Sequence, residues 1–340
     1  MSFYPVQPLP DVNARQATMT VRPPSTSLLT IDSEDRFTTY AQASAAATRN
    51  PRDVNVTPYH FNISKNESLM NGFFTRVGVT EVNFPWAIPN INEKSNAIVV
   101  TWQVGAGDPI SQTITLTNGF FTPHALGLAL LGAINDIPAL ATAGFVYGEY
   151  GQPSFLYGAP AGTTIAFEPL PYNSVDYPWP ETTKQLFHLL GMTDLNSILA
   201  AEGASGYTFC QWTRYVDIVC AQLTNNQALK DQTSQTVARD ALCRLYLGDA
   251  LISGNTEPLA SSPDFCPPGC APFTIHTQFA TPKQIQWLPN QPISGFLQFN
   301  VYDDSGAPLT EILGAVAPTV PIQETVAYLD WSMTMMVSEN

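Results

Sequence analysis

The stretch from Val326 to Val337 constrains the fold more than any other part of the chain. Ala327, Leu329, Trp331, Met333, Met335 and Val337 fall on one face of an extended backbone. Asp330, Ser332, Thr334 and Ser338 fall on the other. A strand with one apolar face is stable only when a second layer covers that face. Shorter stretches of β texture recur at 28–32, 54–63, 73–83, 97–104, 111–117, 145–150, 154–157, 163–167, 215–223, 241–247, 274–279, 284–288 and 296–302. The 29 prolines fall largely between them, since proline cannot donate to a ladder. Phe84-Pro-Trp-Ala-Ile-Pro-Asn90 therefore reads as a loop, and Gly105-Ala-Gly-Asp-Pro109 as a hairpin turn. Many strands with long connections predict an all-β sandwich.

Two segments depart from this texture. Thr122-Pro123 supplies an N-cap and a first-turn proline. Leu126, Leu130 and Ile134 then recur every four residues beside Ala129 and Ala133, which predicts a helix of about three turns. No charge falls between His124 and Asn135, so this helix is expected to be covered on more than one side. A second helix is expected at Glu181–Leu190, presenting Leu186, Leu189 and Leu190 and stopping at Gly191. Together they predict a strand–helix (α+β) insertion at about 105–205 within a sandwich domain spanning 27–340. Residues 1–26, broken by Pro5, Pro8, Pro10, Pro23 and Pro24, read as an extended N-terminal arm.

Only 12% of the residues are charged, about half the usual share of roughly 25%. Either neutral polar groups dominate the exterior or partner subunits cover much of it. The 14 Lys and Arg against 28 Asp and Glu give a net charge of −14, which argues against direct nucleic-acid binding. No apolar run reaches the ~18 residues of a membrane span, and the N-terminus lacks the pattern of a signal peptide. The expectation is a soluble, globular chain made inside the cell and not secreted. On that basis the Asn62-Ile-Ser64 and Asn66-Glu-Ser68 sequons are chance matches, and the five cysteines are reduced thiols.

The search for chemistry is mostly negative. Asp304-Ser-Gly306 matches the aspartic-protease signature, but a single copy provides no second carboxylate to share a proton. Asp-Asp-Ser-Gly is also favourable turn chemistry. Cys266-Pro-Pro-Gly-Cys270 has metal-like spacing and could recruit Cys243 and His276, yet no second knuckle accompanies it. No nucleophile elbow, Walker sequence or complete dinucleotide fingerprint occurs. No catalytic residue, cofactor or metal is assigned, and the protein is not expected to be an enzyme. The candidate contact residues are aromatic and aliphatic: Phe3, Tyr4 and Val6 in the arm, and Trp86 and Trp179 beside prolines in loops. Exposed tryptophans of this kind serve equally as protein anchors or as a sugar-binding surface.

Ser27–Arg36, Thr113–Leu126, Lys184–Gly191, Pro292–Gly306 and the Trp331-containing strand together resemble the minor capsid proteins of double-stranded DNA viruses of the adenovirus-like jelly-roll lineage. Ser27-Leu-Leu-Thr-Ile-Asp-Ser-Glu-Asp-Arg36 resembles the Ile-Asp-Ser-x-Asp-Arg opening of that group. Thr113-Ile-Thr-Leu-Thr-Asn-Gly-Phe-Phe-Thr-Pro-His-Ala-Leu126 and Lys184-Gln-Leu-Phe-His-Leu-Leu-Gly191 resemble its strand–helix element. Pro292–Gly306 and the Trp331-containing strand resemble its closing strands. The resemblance implies a single jelly roll and a penton role in the virion, with homopentamers at icosahedral vertices. The partners it implies are major capsid protein capsomers and other minor capsid proteins. Another cement or spike protein of the same fold is the alternative, followed by a carbohydrate-binding jelly roll.

Overall fold

A computed structural model describes residues 26–339 apart from 38, 40, 43–44, 46–48, 50–52, 72–73, 87, 149–153, 173, 176, 180–183, 209–212, 225–230, 233–237, 240, 248–272, 289–290 and 313–328. The fold is mostly β. In chain order it begins with β1 (Thr26–Asp32), β2 (His60–Ser64) and β3 (Arg76–Trp86). Then come β4 (Ala97–Val104), β5 (Ile110–Thr115), the helix α1 (Pro123–Asn135), β6 (Gly144–Tyr147), β7 (Phe155–Gly158), β8 (Thr163–Glu168) and β9 (Glu202–Ala204). The remainder is β10 (Tyr215–Val219), β11 (Asp231–Gln232), β12 (Ala238–Arg239), β13 (Ala241–Tyr246), β14 (Phe273–Gln278), β15 (Ile285–Gln286), β16 (Phe296–Asp303) and β17 (Ser332–Ser338).

Two antiparallel sheets enclose the larger core. One has the order β1-β17-β3-β14, with β15 also on β3; the other has the order β13-β10-β16-β2. Alternation decides which side chains face inward. Ile31, Val79, Phe84, Met333 and Met335 from the first sheet join Phe61, Ile63, Ile218, Leu245, Phe299 and Val301 from the second in one buried cluster. Trp331 lies near its centre, with ring centroids 5.5 Å from Phe61 and 5.9 Å from Phe299. Its indole N–H donates to the Pro58 carbonyl at 2.6 Å, so the buried polar atom is satisfied.

The polar residues after β1 bind the first strand to the last. Ser33 and Arg36 are both buried. The Ser33 hydroxyl donates to Asp330 at 2.7 Å and accepts from the Trp331 amide at 2.9 Å. Arg36 donates to the same Asp330 carboxylate and to the Ser33 carbonyl. These residues belong to the Ile-Asp-Ser-x-Asp-Arg segment, so its serine and arginine close the start of the β1–β17 ladder.

A second core gathers residues from Ile91 to Met192. β5-β4-β8 form one three-stranded sheet and β6-β7-β9 another. α1 is capped as its sequence predicts, with the Thr122 hydroxyl accepting from the Ala125 amide at 3.2 Å. The helix packs on the second of these sheets with Gly127 towards the Phe155 ring, where even a Cβ would stand at an ordinary contact distance of 3.4 Å.

Local boundaries differ from expectation in three places. β3 continues through Pro85 to Trp86, where a loop was expected. β17 leaves β3 at Asn83, so beyond that point β3 has β14 alone as neighbour and a missing N–H need break no ladder. Of the helix expected at 181–190, the described residues show a single α-turn, Leu186–Leu189, closed by Gly191 at φ 73°; 181–183 lie outside the described residues. β17 starts at Ser332, with Leu329 outside the strand and half exposed; 326–328 lie outside the described residues.

Candidate interaction surface

The turn after β16 joins the two cores electrostatically. Gly306, at φ 97°, provides the left-handed residue the turn requires. The Asp303 carboxylate accepts from the Ser305 amide at 3.0 Å and the Ala307 amide at 2.8 Å. Its other oxygen accepts from Lys94, at 3.0 Å, in the segment before β4. Asp304 accepts from Lys184 at 2.9 and 3.1 Å and from the Arg214 Nε at 3.1 Å. The side chains of Lys94, Asp303 and Asp304 are at most 4% exposed. Three cations thus face two carboxylates, which also accept hydrogen bonds from backbone amides. That arrangement positions the segments it joins, whereas protease chemistry needs two carboxylates sharing one proton. The Asp-Ser-Gly signature is a turn.

A second ion pair lies on the outward face of the β10–β13 ladder. Asp217, fully buried, accepts from Arg244 at 2.7 and 3.1 Å. The guanidinium stacks 4.0 Å from the Tyr215 ring centroid, and Tyr215 meets Tyr246 edge-on at 5.6 Å. The hydrogen bond that Arg244 donates to Asp217 is the main reason its pKa is raised. Burial pushes the Tyr215 phenol above its ordinary value. Burial likewise pushes the Cys220 and Cys243 thiols up to about 11 and about 12, so both are protonated and unreactive at neutral pH.

The residues singled out from sequence are placed differently from one another. Trp86 is 2% exposed and stacks on Phe273 at 6.0 Å, so it is a core residue and not a free anchor. The extension of β3 through Pro85 puts it there. Trp179 packs against the sandwich core with its ring 4.9 Å from the Lys94 ammonium, which makes it part of the ionic seam. Phe3, Tyr4 and Val6 lie outside the described residues, as do Cys266 and Cys270. Cys243 points into the core, while His276 is on the outward face of β14, 3.5 Å from Glu81. Those two cannot complete one metal site. No cluster of three or more His, Cys, Asp or Glu suited to a metal occurs among the described residues.

The exposed apolar side chains concentrate in one region. Of the fourteen large hydrophobics that remain exposed among the described residues, nine lie between Val104 and Tyr207. The same region is poor in charge. No Lys or Arg occurs between Lys94 and Lys184, and Asp136 is the one carboxylate from Ile110 to Tyr147. Surface of this composition is suited to contact with another protein. The seam and this surface escaped sequence reading for different reasons. Lys94 and Asp303 are 209 positions apart, so no local pattern links them. The uncharged run was visible, but which of its side chains face outward was not.

No family model matches the chain, and no curated protein matches it. Among solved structures it is similar to the crystal structure of the mavirus penton protein. That match has 9% sequence identity and a TM-score of 0.46, and it covers 94% of this chain and all of the other. Among the described residues no helix is long and apolar enough to cross a membrane.

Proposed function

We propose that this is a structural virion protein, a penton-like minor capsid protein whose copies close into rings of five at icosahedral vertices. The observation that carries the reading is the strand order of the two facing sheets. Numbered along the chain, the eight sandwich strands β1, β2, β3, β10, β13, β14, β16 and β17 pair first with last, second with seventh, third with sixth and fourth with fifth. Such pairing is what a chain folded back on itself as one long hairpin and then rolled into two sheets would give, and it supports the reading of a jelly roll. Its insertion lies between the third and fourth strands, and we place its start near Ile91, where the second core begins.

A fold alone hosts many functions, so the assembly role rests on the surface as well. A chain with few charges and with apolar side chains exposed on its insertion is suited to large subunit contacts. A ring of five requires head-to-tail contacts that close after five rotations. In this reading the sandwich is the stiff wedge, its neighbours are major capsid protein capsomers, and the arm at 1–26 reaches other minor capsid proteins. The burial of Trp86 removes one of the two tryptophans on which a carbohydrate-binding role rested.

Native mass spectrometry of the tag-free chain across concentrations tests the ring. A closed pentamer is expected. A trimer would replace the vertex role with that of a spike or cement protein. A monomer at every concentration, with no copies at the vertices of intact particles, would overturn the assignment. Deleting residues 1–26 is expected to leave the fold intact and to lower incorporation into particles; unchanged incorporation would remove the arm from the mechanism.

A further inference from the structure

We infer that the outward flank of α1, centred on Leu128 and Gly132, is a contact between copies of this chain. The inference rests on the assembly role proposed above. α1 is apolar all round, with no acidic residue in its first turn and no basic residue in its last. A helix of that kind is normally buried on more than one side. Here Leu126, Leu130 and Ile134 are fully buried on the inner side, together with Gly127. The other side is open: Leu128 is 56% exposed and Gly132 is exposed. A Cβ placed on Gly132 would meet nothing within 4 Å. A knob and a gap thus sit one turn apart on a face that the chain itself does not cover.

Charge identifies the occupant. The absence of Lys and Arg between Lys94 and Lys184 leaves nothing in that stretch to hold a phosphate-bearing or otherwise anionic partner. A basic partner would be drawn to carboxylates, and α1 carries none. A second copy fits both facts. Each copy carries a net charge of −14, so two copies repel over most of their surfaces and approach most easily where ionised groups are missing. From Ile110 to Tyr147 a single carboxylate, Asp136, is present.

Two variants test the contact by native mass spectrometry and light scattering. Leu128→Asp puts a charge at the centre of the flank. Gly132→Gln fills the gap with a residue of higher helix propensity, so it should fold at least as well as the parent. Both are expected to raise the concentration for half-assembly by about tenfold or more. Leu28→Asp, at an exposed leucine of β1, should leave assembly unchanged. If the parent and both variants assemble alike, the contact is overturned while the capsid role stands. A parent that is monomeric throughout overturns the contact, and overturns the capsid role as well where intact particles carry no copies at their vertices. A parent dimer or trimer that both variants disrupt supports the contact and overturns the ring of five.

Discussion

The two cores of this molecule are built by different rules. The sandwich uses long strands, aromatic rings packed around Trp331 and ionic ties such as Arg36–Asp330 and Asp217–Arg244. The insertion uses short strands, one uncharged helix and a core assembled from residues close in sequence. The sandwich is closed by its own side chains. The insertion leaves apolar groups open, and the cations nearest it, Lys94 and Lys184, bind the Asp303–Asp304 turn of the sandwich. In the assembly proposed above, stability and association fall to separate regions, with the ionic seam as the point where they meet.

Substitution at that seam is the strongest way to break the comparison. Asp303→Ala leaves the buried Lys94 ammonium without its carboxylate and the turn without an acceptor for two amides. A loss of about 3–5 kcal/mol in chemical denaturation is expected. A loss below ~1 kcal/mol would show that the seam is peripheral. Leu130→Ala opens a cavity in the second core, at a cost of about 2–5 kcal/mol. If the cores are separate units, hydrogen exchange should accelerate within 91–205 while β3, β10 and β17 keep their protection. Uniform acceleration would make the molecule a single cooperative unit.

Two weaker effects sharpen the contrast. Thr122→Ala removes the side-chain cap of α1 and should lower the insertion's stability by about 1 kcal/mol. Among the described residues the buried thiols, Cys220 and Cys243, belong to the sandwich core, and these make it sensitive to alkali. Their folded-state pKa values of about 11 and about 12 lie above the ordinary thiol value of 9.0. The unfolded chain therefore releases these protons first, and native stability falls as pH rises from about 9 through the folded values. A double Cys220→Ser, Cys243→Ser variant should show a flatter stability profile above pH ~9. An unchanged slope would remove the thiols as its cause.

Much of this contrast was legible in the sequence where local pattern decides the outcome. The alternation at Met333, Met335 and Val337 is the inward face of β17, and Thr122 caps the helix that Leu126, Leu130 and Ile134 predict. Pattern failed where the neighbours decide. Pro85 belongs to a strand because β17 has already turned away, and Trp86 is consequently buried. The leucines of 186–190 are buried as expected, but a single helical turn suffices to place them. The seam depends on pairs far apart in the chain, which no window of sequence can join. The uncharged helix was read as covered on more than one side, yet this chain covers one, and that mismatch supports the contact proposed for its outer flank.

The pairing of β1 with β17 also sets a timetable. Ser33 and Asp330 are 297 positions apart, so β1 emerges from the ribosome long before its ladder partner exists. At about 5–20 residues per second the wait is roughly 15 to 60 s. The insertion, with nearly all its contacts inside a shorter stretch, can fold during that interval. Its uncharged flank is then presented while the sandwich edge at β1 is still unpaired. In the assembly proposed above, newly made copies would therefore present the contact flank to one another before either has finished folding.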